Sequence, residues 1–211
     1  MNAAERITWQ GRFWPALQNV EIAPRPLQPQ LPIWVGVGGT PESVIRAATL
    51  GLPMMLGIIG GRSAQFAPFM DLYRQAGAQA NQAPAQLKTG VTSYLHLAPN
   101  SQQAIEEFYP YHAHYFDQLA RSRGRHMRFS RGDYEQAASL EGAYFVGSPQ
   151  QVIDKLLYQH ELFGHQRFMA QIDLGGLPYS MVAKTIELLA TEVAPVVRRE
   201  IAQKRSEQMR P

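Results

Sequence analysis

The sequence predicts an α/β fold built on parallel strands. Three observations carry that expectation. Short apolar runs alternate along the chain with amphipathic helical stretches, the order that right-handed βαβ crossovers produce. The run 33–37 (Ile-Trp-Val-Gly-Val) has no polar alternation, as in a parallel strand covered on both faces. Glycine pairs at 38/39, 60/61 and 175/176 close three of the runs, so their loops fall on one edge of the sheet, the C-terminal edge.

Taken in order, residues 1–30 read as an extended approach segment, because prolines at 24, 26, 29 and 32 forbid a helix near its end. After the first strand, Thr40 is an N-cap candidate, Pro41 suits the first helical position and Glu42 puts negative charge in the first turn. Gly51 and Pro53 stop that helix. A second strand spans 54–59. A helix over 63–78 follows, with Phe66, Phe69, Met70, Tyr73 and Ala76 at helical spacing. Residues 86–98 read as a third strand. The long helix opening at Ser101 is aromatic-rich through Phe116, with a kink expected at Pro110. Residues 121–142 read as a polar, arginine-rich loop. Ser148 and Pro149 cap another helix whose inner face is Val152, Ile153, Leu156 and Leu157. A fourth strand spans 167–173, and two terminal helices follow, broken near Pro195. The polar tail 203–211 is expected to fray.

The chain reads as one domain over residues 1–211. Its 45% hydrophobic and 18% charged residues are those of an ordinary globular protein. No apolar run reaches the roughly 18 residues of a membrane span, and the N-terminus lacks the apolar core of a signal peptide. Zero cysteines exclude a disulfide framework and thiolate metal sites, and fit a cytoplasmic location. A net charge of +3 gives little support to a nucleic-acid partner.

The glycine loop feeding a helix N-terminus is either an anion site, most often for phosphate, or a tight turn that binds nothing. Dinucleotide binding fails, since Pro41 stands where GxGxxG needs its last glycine and no acid follows about twenty residues on. The P-loop lysine is also missing. The histidines do not have metal spacing: His112 and His114 are two apart on a helix, and no HExxH occurs. No metal is expected. His96 is either a proton donor at the sheet edge or a satisfied core histidine. Arg121, Arg123, Arg125, Arg128 and Arg131 are either a solvated loop or a cover over a ligand. The aromatic residues Phe108, Tyr109, Tyr111, Tyr115 and Phe116 read as core or subunit interface.

The run Trp34-Val-Gly-Val-Gly-Gly-Thr-Pro-Glu-Ser-Val-Ile-Arg-Ala-Ala-Thr-Leu-Gly-Leu-Pro53 resembles the central motif of the bacterial luciferase-like monooxygenases, flavin-dependent (β/α)8 barrels. Trp9-Gln-Gly-Arg-Phe13 and Pro24-Arg-Pro-Leu-Gln28 upstream are similar to the family's approach to its fifth strand. Ile58-Ile-Gly-Gly61, the run from Phe145 to Leu156, Asp173-Leu-Gly-Gly-Leu-Pro178 and Glu192-Val-Ala-Pro195 follow in the family's order. A complete barrel typically needs about 250 residues, and four convincing strands are legible here. The resemblance therefore implies a partial TIM (β/α)8-type barrel, strands five to eight with their helices, and is read as covering the family's C-terminal half only, with Met1 inside a longer ancestral frame. Two open parallel edges then imply a homo-oligomer or a complementing N-terminal half.

The resemblance implies a flavin-dependent oxidoreductase, in which reduced FMN from a flavin reductase, or a deazaflavin, acts with dioxygen on a small organic substrate. A half-barrel that binds or assembles without catalysis is the other reading. In the loop that begins at Gly38, the resemblance places Gly39, Thr40 and Ser43 at phosphate-contacting positions; Gly60 and Gly61 lie on the same edge and are either bare backbone that the flavin can approach or a simple turn. The family's acidic residue at the first phosphate-contacting position is Gly39 here, so its side-chain contact is lost. No catalytic residue is assigned. The general rule for such barrels would place phosphate after the last strands, near Asp173 to Gly176; the resemblance favours the earlier loop. Asp173 is either a ligand contact or the cap of its own turn.

Overall fold

A computed structural model describes residues 6–29, 31–124 and 129–208. They fall into two compact units, one reaching Trp34 and the other beginning at Val35. In the first, β1 (Arg6–Trp9) pairs antiparallel with β2 (Leu17–Glu21), Ile7 opposite Val20. Arg6 Nε donates to the carbonyl and Oδ1 of Asn19 at 3.0 and 3.1 Å, and Asn19 adopts φ 51°. The expectation of a merely extended segment is thus corrected. Leu-Gln-Asn-Val-Glu has no alternation and is mostly exposed, so this strand leaves no period-two signal.

The second unit holds a five-stranded, wholly parallel sheet. Its strands are β3 (Val35–Val37), β4 (Met54–Gly57), β5 (Thr89–Leu97), β6 (Phe145–Gly147) and β7 (Arg167–Gln171). β5 is the centre: Met54 to Gly57 pair along Thr89 to Thr92, Gly90 to Tyr94 pair with β7, and Leu95 to Leu97 pair with β6. All nine of its residues are buried, which is why Thr, Val, Tyr and Leu fill it. β3 pairs with β4 alone among the described residues. Gly36 on β3 and Met169 on β7 are exposed, so the outer strands lack the two-sided cover expected of the 33–37 run.

The helices are α1 (Pro41–Thr49), α2 (Ala67–Gln79), α3 (Ser101–Ser122), α4 (Arg131–Ala138), α5 (Pro149–Phe163), α6 (Tyr179–Leu188) and α7 (Ala194–Gln208). One apolar cluster joins α1 and α2 to β3 and β4 through Val44, Ala47, Ala48, Met70 and Tyr73 against Val37, Met54 and Leu56. A second joins α5 and α6 to Leu95, Leu97 and Phe145. These alternate strand positions are the sheet face that the crossover helices cover.

Four further expectations change. β6 makes a fifth parallel strand; at three residues it is too short to carry a period. Within the expected loop 121–142, α3 runs on to Ser122 and α4 occupies 131–138, while Arg125 and Arg128 lie outside the described residues. α4 starts at a capping box, Ser130 Oγ accepting from the Asp133 amide and the Asp133 carboxylate from the Ser130 amide. The chain does not break at Pro195: a π-helical turn, Leu189–Val193, carries α6 into α7 immediately before the proline. α7 continues to Gln208, so residues 203–208 are helical and the rest of the expected polar tail lies outside the described residues. No helix among the described residues is long and apolar enough to cross a membrane.

Candidate flavin site at the C-terminal edge of the sheet

The glycine loop leaves β3 and enters α1 as its residue types require. Gly39 takes φ 102°, a conformation that a side chain resists. Thr40, extended at φ −99° and ψ 128°, occupies the N-cap position, and Pro41 begins the helix. The Thr40 side chain makes no capping bond. Its hydroxyl donates instead to Ser43 Oγ at 2.9 Å, and Arg46 Nη2 lies 3.5 Å from that same oxygen. Thr40, Ser43 and Arg46 therefore form one polar patch on the first turns of a nine-residue helix. Its positive end favours an anion, although Glu42 in the same turn weakens that preference. Arg46 was not legible as a member, because an arginine on the outer face of a helix is usually only solvated.

The second glycine pair lies beside the first. Phe66, in the short 3₁₀ turn before α2, stands between them. A Cβ placed on Gly39 would be 4.0 Å from Phe66 Cε1, and one on Gly61 would be 4.0 Å from Phe66 Cε2. A Cβ on Gly38 or Gly60 would meet nothing within 4 Å. The backbone at those two positions is thus bare toward open space, a cradle that a flat ligand can approach and that any larger residue would fill. The sheet edge brings Gly38, Gly39, Thr40, Ser43, Gly60 and Gly61 into one neighbourhood, as parallel strands in register demand. The third pair, Gly175 and Gly176, belongs to a turn in which Asp173 Oδ1 accepts from the Gly175 amide at 2.8 Å. Asp173 is the cap of its own turn.

Gly60 and Gly61 also form part of the wall of a cavity of about 320 Å³. α4 contributes Asp133, Gln136 and Ala137, and Phe129 and Tyr144 add aromatic rings to a wall that is otherwise largely polar. α4 is held down from below by Lys155, whose ammonium donates to the carbonyls of Ala137 (3.3 Å), Ser139 (2.5 Å) and Tyr144 (2.5 Å). Burial pushes this lysine down to about 7, while three carbonyl acceptors require its protonated form. From above, the Arg131 guanidinium binds both carboxylate oxygens of Glu106 on α3, at 2.7 and 3.2 Å, and lies 5.1 Å from the Tyr109 ring. A larger cavity of about 390 Å³ lies beside the start of β7, against His165, Arg167 and Arg198. It borders none of the glycine loops. In parallel α/β folds chemistry gathers at the opposite strand ends.

His96 is fully buried, with Nε2 2.9 Å from Glu107 Oε2 and Nδ1 3.2 Å from Thr185 Oγ1. It stacks on Phe108 at 5.3 Å. Burial lowers its pKa and Glu107 opposes that. This is a satisfied core histidine that ties α3 and α6 to β5. His112 differs: it is fully buried and neither ring nitrogen has a hydrogen-bond partner.

The luciferase-like monooxygenase profile matches residues 2–166. No curated protein matches the chain. Among solved structures, a monooxygenase, RslO1, of Streptomyces bottropensis is similar at 26% identity and a TM-score of 0.69, over 92% of this chain and 56% of that one. The oxygenating constituent of 3,6-diketocamphane monooxygenase of Pseudomonas putida, solved with FMN, is 17% identical with a TM-score of 0.62, over 90% of this chain and 58% of that one. The coenzyme F420-dependent tetrahydromethanopterin reductase of Methanopyrus kandleri is 16% identical with a TM-score of 0.62, over 93% and 59%. The chain thus spans somewhat more than half the length of these structures.

The profile corrects the reading that confines the resemblance to a C-terminal half. The match covers the N-terminal and middle part of this chain, nearly all of it, and not a C-terminal half-domain. That reading rested on placing the glycine-loop motif at the family's fifth strand and on a count of strands, which β1, β2 and β6 were too short or too polar to enter. With 165 of 211 residues inside the profile (166 − 2 + 1), the chain belongs to the luciferase-like monooxygenase family.

Proposed function

We propose that the chain binds a reduced flavin at the C-terminal edge of its sheet and serves the oxygenation of a small organic molecule. The observation that carries this reading is the bare backbone at Gly38 and Gly60 beside the uncapped Thr40–Ser43 hydroxyl pair. In this reading the parallel sheet is part of a (β/α)8-type barrel. Ser43 and Val44 already donate their amides to the Thr40 carbonyl at 3.1 and 3.3 Å, so the amides of Gly39, Thr40 and Glu42 and the two hydroxyls would hold the phosphate. Arg46 adds a positive charge behind Ser43. Gly38, Gly60 and Gly61 would lie against the flat ring system. The reduced cofactor, once bound, supplies the electrons with which dioxygen is activated.

The protein's part is to orient the ring, shield it from water and position the molecule to be oxidised. Among the similar structures one carries FMN and another depends on coenzyme F420, which supports the flavin and deazaflavin class and leaves FMN as our choice. A separate flavin reductase would deliver the reduced form. The test is a fluorescence titration with FMN against the native chain and Thr40→Glu. A carboxylate beside a phosphate dianion is expected to weaken binding at least about tenfold while the helix keeps an acceptable N-cap. Unchanged affinity would remove the assignment.

A further inference from the structure

We propose that the cavity under α4 is the pocket for an uncharged aromatic molecule bearing a hydroxyl or carbonyl group. That this molecule is the substrate of the flavin reaction rests on the flavin reading above; its binding does not. Behind the cavity wall lies a chamber of rings. His112 is centred 4.5 Å from Phe116, 5.0 Å from both Tyr134 and Tyr144, and 5.2 Å from Phe129. Phe129 and Tyr144 belong to the chamber and to the cavity alike.

The chamber is aromatic, but it is not apolar. Both His112 nitrogens and the hydroxyls of Tyr134 and Tyr144 are buried without a partner. Each such atom gives up its water without a replacement, which destabilises the fold, and phenylalanine at all three positions would pack without that cost. Of these residues Tyr144 belongs to the cavity wall while His112 and Tyr134 stand behind it, so a partner supplied from outside meets Tyr144 first. Their protonation defines its chemistry. Burial pushes His112 down to about 4 and raises both tyrosine hydroxyls, Tyr134 and Tyr144. All three are neutral at physiological pH and offer both donors and acceptors to an alcohol, phenol or ketone.

The charges on the cavity wall are already committed. Arg62 pairs with Glu141 at 2.7 Å, and Asp133 accepts from Ser130 within the capping box. A charged ligand would find no free counter-ion there and would be desolvated against aromatic rings. A volume near 320 Å³ lies at the small end of ligand pockets. Gly60 and Gly61 form part of its wall, so a molecule held there would abut the loop assigned to the flavin ring.

Isothermal titration calorimetry with 1-naphthol, without flavin, tests the proposal, with 1-naphthoate as the charged comparator. Saturable 1:1 binding of 1-naphthol is expected, with naphthoate at least about tenfold weaker. Tyr144→Phe removes one polar partner and is expected to weaken 1-naphthol about tenfold. Gln136→Trp, an exposed position on α4, should plug the cavity and abolish binding even if Tyr144→Phe folds poorly. Absence of saturable binding, naphthoate binding as tightly as naphthol, or affinity unchanged in both variants would each overturn the proposal. Naphthol binding retained in a chain that takes up no FMN would uphold the pocket and refute only the flavin reading.

Discussion

The Thr40 hydroxyl donates to Ser43 Oγ at 2.9 Å and makes no bond to an amide of the helix that Thr40 begins. A threonine at this position ordinarily satisfies one of the first amides of its helix. Here the side chains bond to each other, and that arrangement lets an anion bring them both to bear.

The glycines of the first loop are expected to separate stability from binding. Gly39→Ala places a side chain at φ 102° and should cost about 1–3 kcal/mol of folding stability. The new methyl itself meets only ordinary contacts with Phe66 and Phe69. Gly38→Ala has no such strain and open space around its Cβ, so its unfolding curve should match the native one while FMN binding weakens. Urea denaturation and a flavin titration on the two variants check both halves.

The buried histidines should set the acid limit of the fold. Burial lowers His112 and His165 to about 4 in the folded state, against 6.5 for an ordinary histidine. Between these values the unfolded chain takes up protons that the folded chain refuses. Stability is therefore full above about pH 6.5 and falls as pH drops toward 4. His112→Phe should make that fall shallower without lowering stability at pH 7.5, as read from denaturation midpoints across the range. A steeper acid slope in the variant would show that His112 does not titrate in this way.

Lys155 is expected to be the pin of α4. Lys155→Met keeps the bulk but takes the ammonium donor from the carbonyls of Ser139 and Tyr144, while Ala137 keeps the Tyr144 amide at 2.8 Å, at a cost of about 2–3 kcal/mol. The loss should be local first. Amide hydrogen exchange should quicken across Arg131–Ala138 while β5 keeps its protection.

The alternation of strands and helices was legible because each main element has a physical marker. Thr40-Pro41 and Ser148-Pro149 begin helices, glycine follows the strand runs, and Val91, Tyr94, Leu95 and Leu97 mark β5 as a strand. What escaped lacked such markers. β6 has three residues, and β2 is exposed and polar, so neither carries a period. α4 did announce itself, through Ser130-x-x-Asp133, but the arginines around it gave a composition that reads as loop. In the site, the glycines and hydroxyls could be read from local pattern and family resemblance. Phe66, Arg46 and Tyr144 could not, since each enters the site through a contact made across the fold or a helix turn.

The central claim is that the first glycine loop holds the phosphate of a flavin, and the measurement that tests it most directly compares FMN with riboflavin on the native chain. The two ligands share the ring system and differ in the phosphate. If Gly39, Thr40 and Ser43 grip that group, FMN should bind at least about tenfold more tightly, added inorganic phosphate should compete, and Thr40→Glu should bring FMN down to the level of riboflavin. Equal affinity for FMN and riboflavin in the native chain would contradict the account.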